Sequence, residues 1–126
     1  MLTHLAIRDV VLIEALDLEF GPGLGALTGE TGAGKSILLD SLGLALGARA
    51  DSGLVRHGVA QASVTASFDI PVDHPVHAVL AEEGFAGEPG EPLILKRIVK
   101  ADGGSRATVN GMPAAAGLIR DIGAML

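Results

Sequence analysis

The segment Gly29-Glu30-Thr31-Gly32-Ala33-Gly34-Lys35-Ser36 constrains this chain more than any other. It satisfies G-x-x-x-x-G-K-[ST] in full. It follows a short apolar run, Leu24 to Leu27, and precedes a helical periodicity of Ile37, Leu38, Leu42, Ala45 and Leu46. A strand, a glycine-rich loop and a helix in that order make a phosphate cradle. Gly29, Gly32 and Gly34 let the backbone curl so that successive N–H groups point at phosphate oxygens, a geometry that a Cβ would obstruct. The helix expected from about Gly34 to Leu46 adds its unpaired N–H groups and the positive end of its dipole. Lys35 supplies a charge for the β and γ phosphates and Ser36 a hydroxyl for Mg²⁺. Glu30 and Thr31 are spacers, and Ala33 is small enough for close approach. The reading is a triphosphate site in an α/β fold.

Composition narrows the setting. The 126 residues are 48% hydrophobic and include 18 glycines, too apolar for a disordered chain. So apolar a chain of one-domain length is short of polar residues for its surface, and something else is expected to cover part of it. Three Phe and no Trp or Tyr leave a core of Leu, Ile, Val and Ala and almost no platform for stacking single-stranded bases. With 9 basic against 15 acidic residues the net charge is -6, so any contact with nucleic acid must be local. The absence of Cys excludes disulfides, a thiolate zinc site and a cysteine nucleophile. No uncharged stretch approaches the ~18 residues that span a bilayer, and Met1 to Val11 is not a basic patch followed by an apolar run. A cytoplasmic protein with no membrane partner is expected.

Local patterning predicts the remaining elements. Two strands open the chain, the second with Leu16, Leu18 and Phe20 alternating with Asp17 and Glu19, and Gly21-Pro22-Gly23 turns it. Gly47 caps the helix after the phosphate loop. Ala62 to Ile70 reads as a strand, Pro75 to Glu83 as a short helix, and Gly84 to Pro92 as a loop. Leu93 to Ala101 and Ser105 to Val109 form a hairpin around Asp102-Gly103-Gly104, and Asn110-Gly111 ends it. Ala114 to Leu126 is a final helix.

A hydrolase also needs a carboxylate beside the metal. Asp69 follows an alternating Ser/Thr strand and Asp121 falls on a helix, so both read as solvated acids, and no catalytic residue is assigned. Asp73, His74 and His77 read as a surface helix start in preference to a metal pair. Lys96, Arg97, Lys100 and Arg106 gather on the hairpin, where they fit a phosphate-backbone contact or a charged edge strand that resists aggregation. Arg49 and Arg56, in the connector after the first helix, could turn toward a nucleotide or toward DNA.

Together, Ile7-Arg8-Asp9, Leu18 to Gly23, Leu27 to Asp40, Leu46 to Asp51, Leu54 to Gly58 and Ser105 to Gly111 resemble the amino-terminal head of the RecN family, in the SMC-like branch of ABC-type ATPases. The resemblance implies a P-loop NTPase head lobe over residues 1–126, with a mixed sheet that includes an antiparallel portion. It implies that Gly29 to Ser36 form the Walker A loop for ATP, with Ser36 on Mg²⁺, and that Arg56 lies near nucleotide or DNA. Family partners would be the carboxy-terminal lobe of the same full-length chain, a second head across sandwiched ATP, and DNA, in double-strand break repair and recombination on the nucleoid. The family's Q-loop, coiled coil, signature, Walker B acids and switch histidine are not in these residues, so the chain is expected to be an amino-terminal part that binds ATP without turning it over. Three competing readings share the loop. A small nucleotide or metabolite kinase would carry an Arg-rich lid. The second is a head from another SMC-like repair ATPase, and the third is an interaction module whose loop is vestigial.

Overall fold

In the computed structural model, residues 2–10, 13–19, 40–48, 52–71, 73–85 and 91–125 are described. They form a six-stranded sheet with three helical segments. The strands are β1 (Leu2–Val10), β2 (Ile13–Glu19), β3 (Gln61–Phe68), β4 (Leu93–Lys100), β5 (Ser105–Val109) and β6 (Met112–Ala114). The helices are α1, described over residues 40–45, α2 (Val76–Glu83) and α3 (Ala116–Met125), and a 3-10 turn spans Ser52–Leu54.

Strand order is β2-β1-β3-β4-β5-β6, and every pairing among the described residues is antiparallel. Leu24 to Leu27, expected to lead into the phosphate loop, lies outside the described residues, as do Gly21 to Gly23 and the first part of the expected Gly34–Leu46 helix.

Period-2 alternation sorts the sheet into two faces. One inner row runs Leu18, Leu5, Ala66, Leu95 and Val109 and ends at the exposed Met112 of β6. The next runs Leu16, Ile7, Val64, Arg97, Ala107, Ala114. Leu44 and Ala45 of α1, Val76 and Leu80 of α2, and Ile119 and Ile122 of α3 join these rows in one core. Each fully buried Leu, Ile or Val contributes about 1.5–3 kcal/mol. Asp9, in the left-handed region at φ 55°, breaks the alternation of β1, and Val10 is buried at the core end.

Several expectations are revised at their edges. The third strand stops at Phe68, with Ile70 buried just beyond it, and α3 begins at Ala116 because Ala114 belongs to β6. Asn110-Gly111 ends the β4–β5 hairpin as expected, and it also starts a further pairing. Both residues have positive φ (51° and 84°) and form a two-residue turn into β6. The β4–β5 turn is as expected: Gly104 N–H donates to Asp102 Oδ1 (2.9 Å) and Lys100 N–H to the Gly104 carbonyl (2.7 Å).

Candidate functional site

Gly29 to Ser36, with Glu30, Thr31, Gly32, Ala33, Gly34 and Lys35 between them, fall outside the described residues, as does Arg49. What is described is the scaffold that follows that loop in sequence. The loop sequence ends at Ser36, and α1 is in place from residue 40.

The end of α1 is tied from several sides among the described residues. Gly47 adopts φ 102°; its N–H donates to the Leu44 carbonyl (3.2 Å) and the Ala48 N–H to the Gly43 carbonyl (2.9 Å), a Schellman cap. Two arginines from other elements reach the same end. Arg97 Nη1 donates to the carbonyls of Leu44 (3.2 Å) and Ala48 (3.0 Å), and Arg120 Nε to that of Gly47 (3.4 Å). Arg97 is only 2% exposed, and its Nε has no hydrogen-bond partner among the described residues. Burial, with Arg120 nearby, lowers its pKa below the usual guanidinium value. Helix carbonyls at the negative end of a dipole are apt partners for a buried cation.

This placement corrects the grouping of Arg97 with the surface basic residues. Position 97 shares its face with Leu93, Leu95 and Val99, so the guanidinium points into the core while Lys96 and Lys100 lie on the opposite face. The edge-strand reading also fails, because β4 pairs with β3 on one side and β5 on the other. On the outer face, β3, β4 and β5 carry Gln61, Ser63, Thr65, Ser67, Ile94, Lys96, Ile98, Lys100, Arg106 and Thr108 and no carboxylate. The acids of that face, Asp17 and Glu19, sit on β2, facing Arg8 (2.9 Å) and His4 (3.3 Å). Asp17 raises the pKa of Arg8.

Arg56 lies beside the end of β1. Its N–H donates to the Asp9 carbonyl (2.8 Å), and its guanidinium meets the Asp9 carboxylate loosely at 3.9 Å. His74 and His77 serve the local backbone: His74 Nδ1 accepts the Val76 N–H at the start of α2 (3.0 Å), and His77 Nε2 lies 2.8 Å from the Pro71 carbonyl. Asp69 is exposed just past β3, and Asp121 is exposed on α3. Asn110 is a residue that sequence reasoning undervalued. Its side chain accepts the Ile94 N–H (3.0 Å) and donates to the Phe85 carbonyl (2.9 Å), tying the end of α2 to the hairpin.

Comparison with known proteins places this scaffold. Residues 4–77 match the family model described as AAA domain. The DNA repair protein RecN of Xylella fastidiosa is 44% identical over 97% of this chain, and RecN of Bacillus subtilis 40% identical over all of it. The chain spans 22% of the length of each. A solved structure described as "Structural biochemistry of ATP-driven dimerization and DNA stimulated activation of SMC ATPases" superposes with a TM-score of 0.75 at 23% identity, covering 98% of this chain and 78% of that one. The described core, with its helices on one face, thus has the fold of an SMC-like ATPase head lobe. The chain belongs to the AAA domain family and, within it, to the RecN-type head sequences.

Proposed function

We propose that Gly29 to Ser36 hold Mg-ATP by its phosphates in the head of a RecN-like repair ATPase, and that nucleotide occupancy drives engagement of two such heads. The observation that carries this reading is the complete phosphate-loop sequence immediately ahead of α1, in a chain 44% identical to RecN. Its donor set fits the cofactor: three glycines free of Cβ, one ammonium and one hydroxyl suit a triphosphate with a hard divalent cation. Lys35 would hold the β and γ phosphates and Ser36 the Mg²⁺. When bound, that ion neutralises charge on the terminal phosphates. Arg56, paired only loosely with Asp9, would swing toward the nucleotide or its neighbouring DNA.

Turnover would draw on an acid and a water-orienting group from the rest of the full-length protein, including its carboxy-terminal lobe, because neither Asp69 nor Asp121 is built for the role. The setting would be the bacterial cytoplasm, on the nucleoid, in repair of double-strand breaks. Among the described residues no helix is long and apolar enough to cross a membrane. DNA would enter as a partner of the full protein, and the carboxylate-free outer face of β3 to β5 supports that part of the reading.

The test is titration of fluorescent ATP into the full-length protein with and without Mg²⁺, for wild type and Lys35→Ala. Loss of one charged phosphate contact weakens binding by about 10- to 100-fold. Binding that is indifferent to Lys35 and to Mg²⁺ would overturn the proposal.

A further inference from the structure

We infer that Arg97 is a positioning residue for the phosphate site: it fixes the carboxy-terminal end of α1, the helix whose sequence periodicity runs back to that loop. The inference rests on the proposed nucleotide role of Gly29 to Ser36 and concerns what holds that loop in register.

Arg97 is hard to explain by stability alone. It sits in the middle of an apolar row, between Val64 and Ala107, and is withdrawn almost completely from water. Burying a guanidinium is costly, and a well-packed apolar side chain of similar size often serves a core as well or better. Among the described residues no carboxylate lies within ion-pair distance of Arg97; its guanidinium donates instead to two carbonyls at the end of α1. Leu44 and Ala48 are four residues apart, so one nitrogen bridging their carbonyls fixes both the height of the helix end and its rotation. An apolar residue could fill the space without fixing either.

The same end is held from a second side. A Cβ on Gly47 would lie 2.5 Å from Arg120 Cα, and a Cβ on Gly123 would lie 2.7 Å from the Leu46 carbonyl oxygen. α3 therefore touches the end of α1 backbone to backbone, with Arg120 closing over the Gly47 carbonyl. Strand β4 and helix α3 clamp the helix end between them.

A small error at this end would be magnified at the other. The sequence periodicity predicts that this helix starts at about Gly34; a helix of that length would be about 20 Å long, and a tilt of roughly 5° about its clamped end would move its first turn by about 2 Å. A site that must present several N–H groups to one phosphate tolerates about 0.5 Å.

The test uses the full-length protein and reads Mg-ATP affinity at a temperature well below the unfolding midpoint of every variant. Arg97→Met is expected to weaken binding by about tenfold, with Arg97→Lys recovering part of the loss because its ammonium still reaches a carbonyl. Val76→Ala, a core deletion on α2, serves as the control that lowers stability while leaving affinity at the wild-type value. If Arg97→Met binds Mg-ATP as tightly as Val76→Ala, the inference is wrong. Should Arg97→Met fail to fold, Arg97→Lys decides: weaker binding supports the positioning role, and unchanged affinity overturns it. Lys35→Ala separates this failure from that of the nucleotide reading. Binding indifferent to Lys35 removes both, whereas Lys35-dependent binding with no Arg97 effect removes only the positioning role.

Discussion

Helices α1 and α2 end in the same local motif and are held very differently. Each finishes on a left-handed glycine, Gly47 at φ 102° and Gly84 at φ 83°. Each uses the same pair of backbone bonds: Gly84 N–H to the Ala81 carbonyl (3.3 Å) and Phe85 N–H to the Leu80 carbonyl (2.7 Å) repeat what Gly47 and Ala48 do. Around Gly84 there is open space, with no described heavy atom within 4 Å of where a Cβ would sit, whereas around Gly47 the backbone of α3 closes in. At α2 the glycine answers a conformational need only. At α1 it answers that need and also makes room for another helix, and two arginines consume the carbonyls that a solvent-facing helix end would leave to water. A cap motif thus specifies where a helix stops but not what grips it there.

The contrast can be broken by adding one methyl group at a time. Gly47→Ala combines left-handed strain with overlap on the Arg120 backbone, and it should cost about 3 kcal/mol or more in urea denaturation. Gly123→Ala meets the Leu46 carbonyl without a positive φ, and overpacking alone should cost about 2 kcal/mol, read by the same method. Gly84→Ala carries only the backbone penalty, about 1 kcal/mol, visible as a small fall in the thermal midpoint. Equal costs at Gly47 and Gly84 would mean that α3 yields freely and that the clamp does not exist. A Gly123→Ala effect as large as that of Gly47→Ala would instead make close packing, and not the left-handed turn, the dominant constraint.

Much of this arrangement was legible in the sequence, and the misses have physical causes. The Gly47 cap, the Asp102-Gly103-Gly104 hairpin and the alternation of β3 are local signals, set within a few residues, and the structure carries all of them. Arg97 was legible too, had parity been weighed above charge: Leu93, Leu95, Arg97 and Val99 share one phase, and the apolar members place the fourth. Charge misleads there because the helix carbonyls that accept the guanidinium lie some fifty positions away in sequence. The short β6 was obscured by Pro113, which suits an edge strand but reads as a terminator, although Asn110-Gly111 is a strong two-residue turn. That β4 is internal and, among the described residues, β2 lies at an edge depends on long-range pairing, which no local pattern encodes. Of the candidate site, the phosphate-loop motif rests on sequence and context alone, since it lies outside the described residues, while the clamp at the end of α1 needed the fold.

The position of β1 has a kinetic consequence. Strands β4, β5 and β6 follow one another through short turns and can zip from neighbour to neighbour, but β1 must find β3 across the whole segment that contains the phosphate-loop sequence and α1. Closing so large a ring of chain is entropically slow, and contacts distant in sequence delay folding more than they weaken the product. The meander would therefore be the early nucleus, and docking of β1 the late event that completes the inner rows around α1.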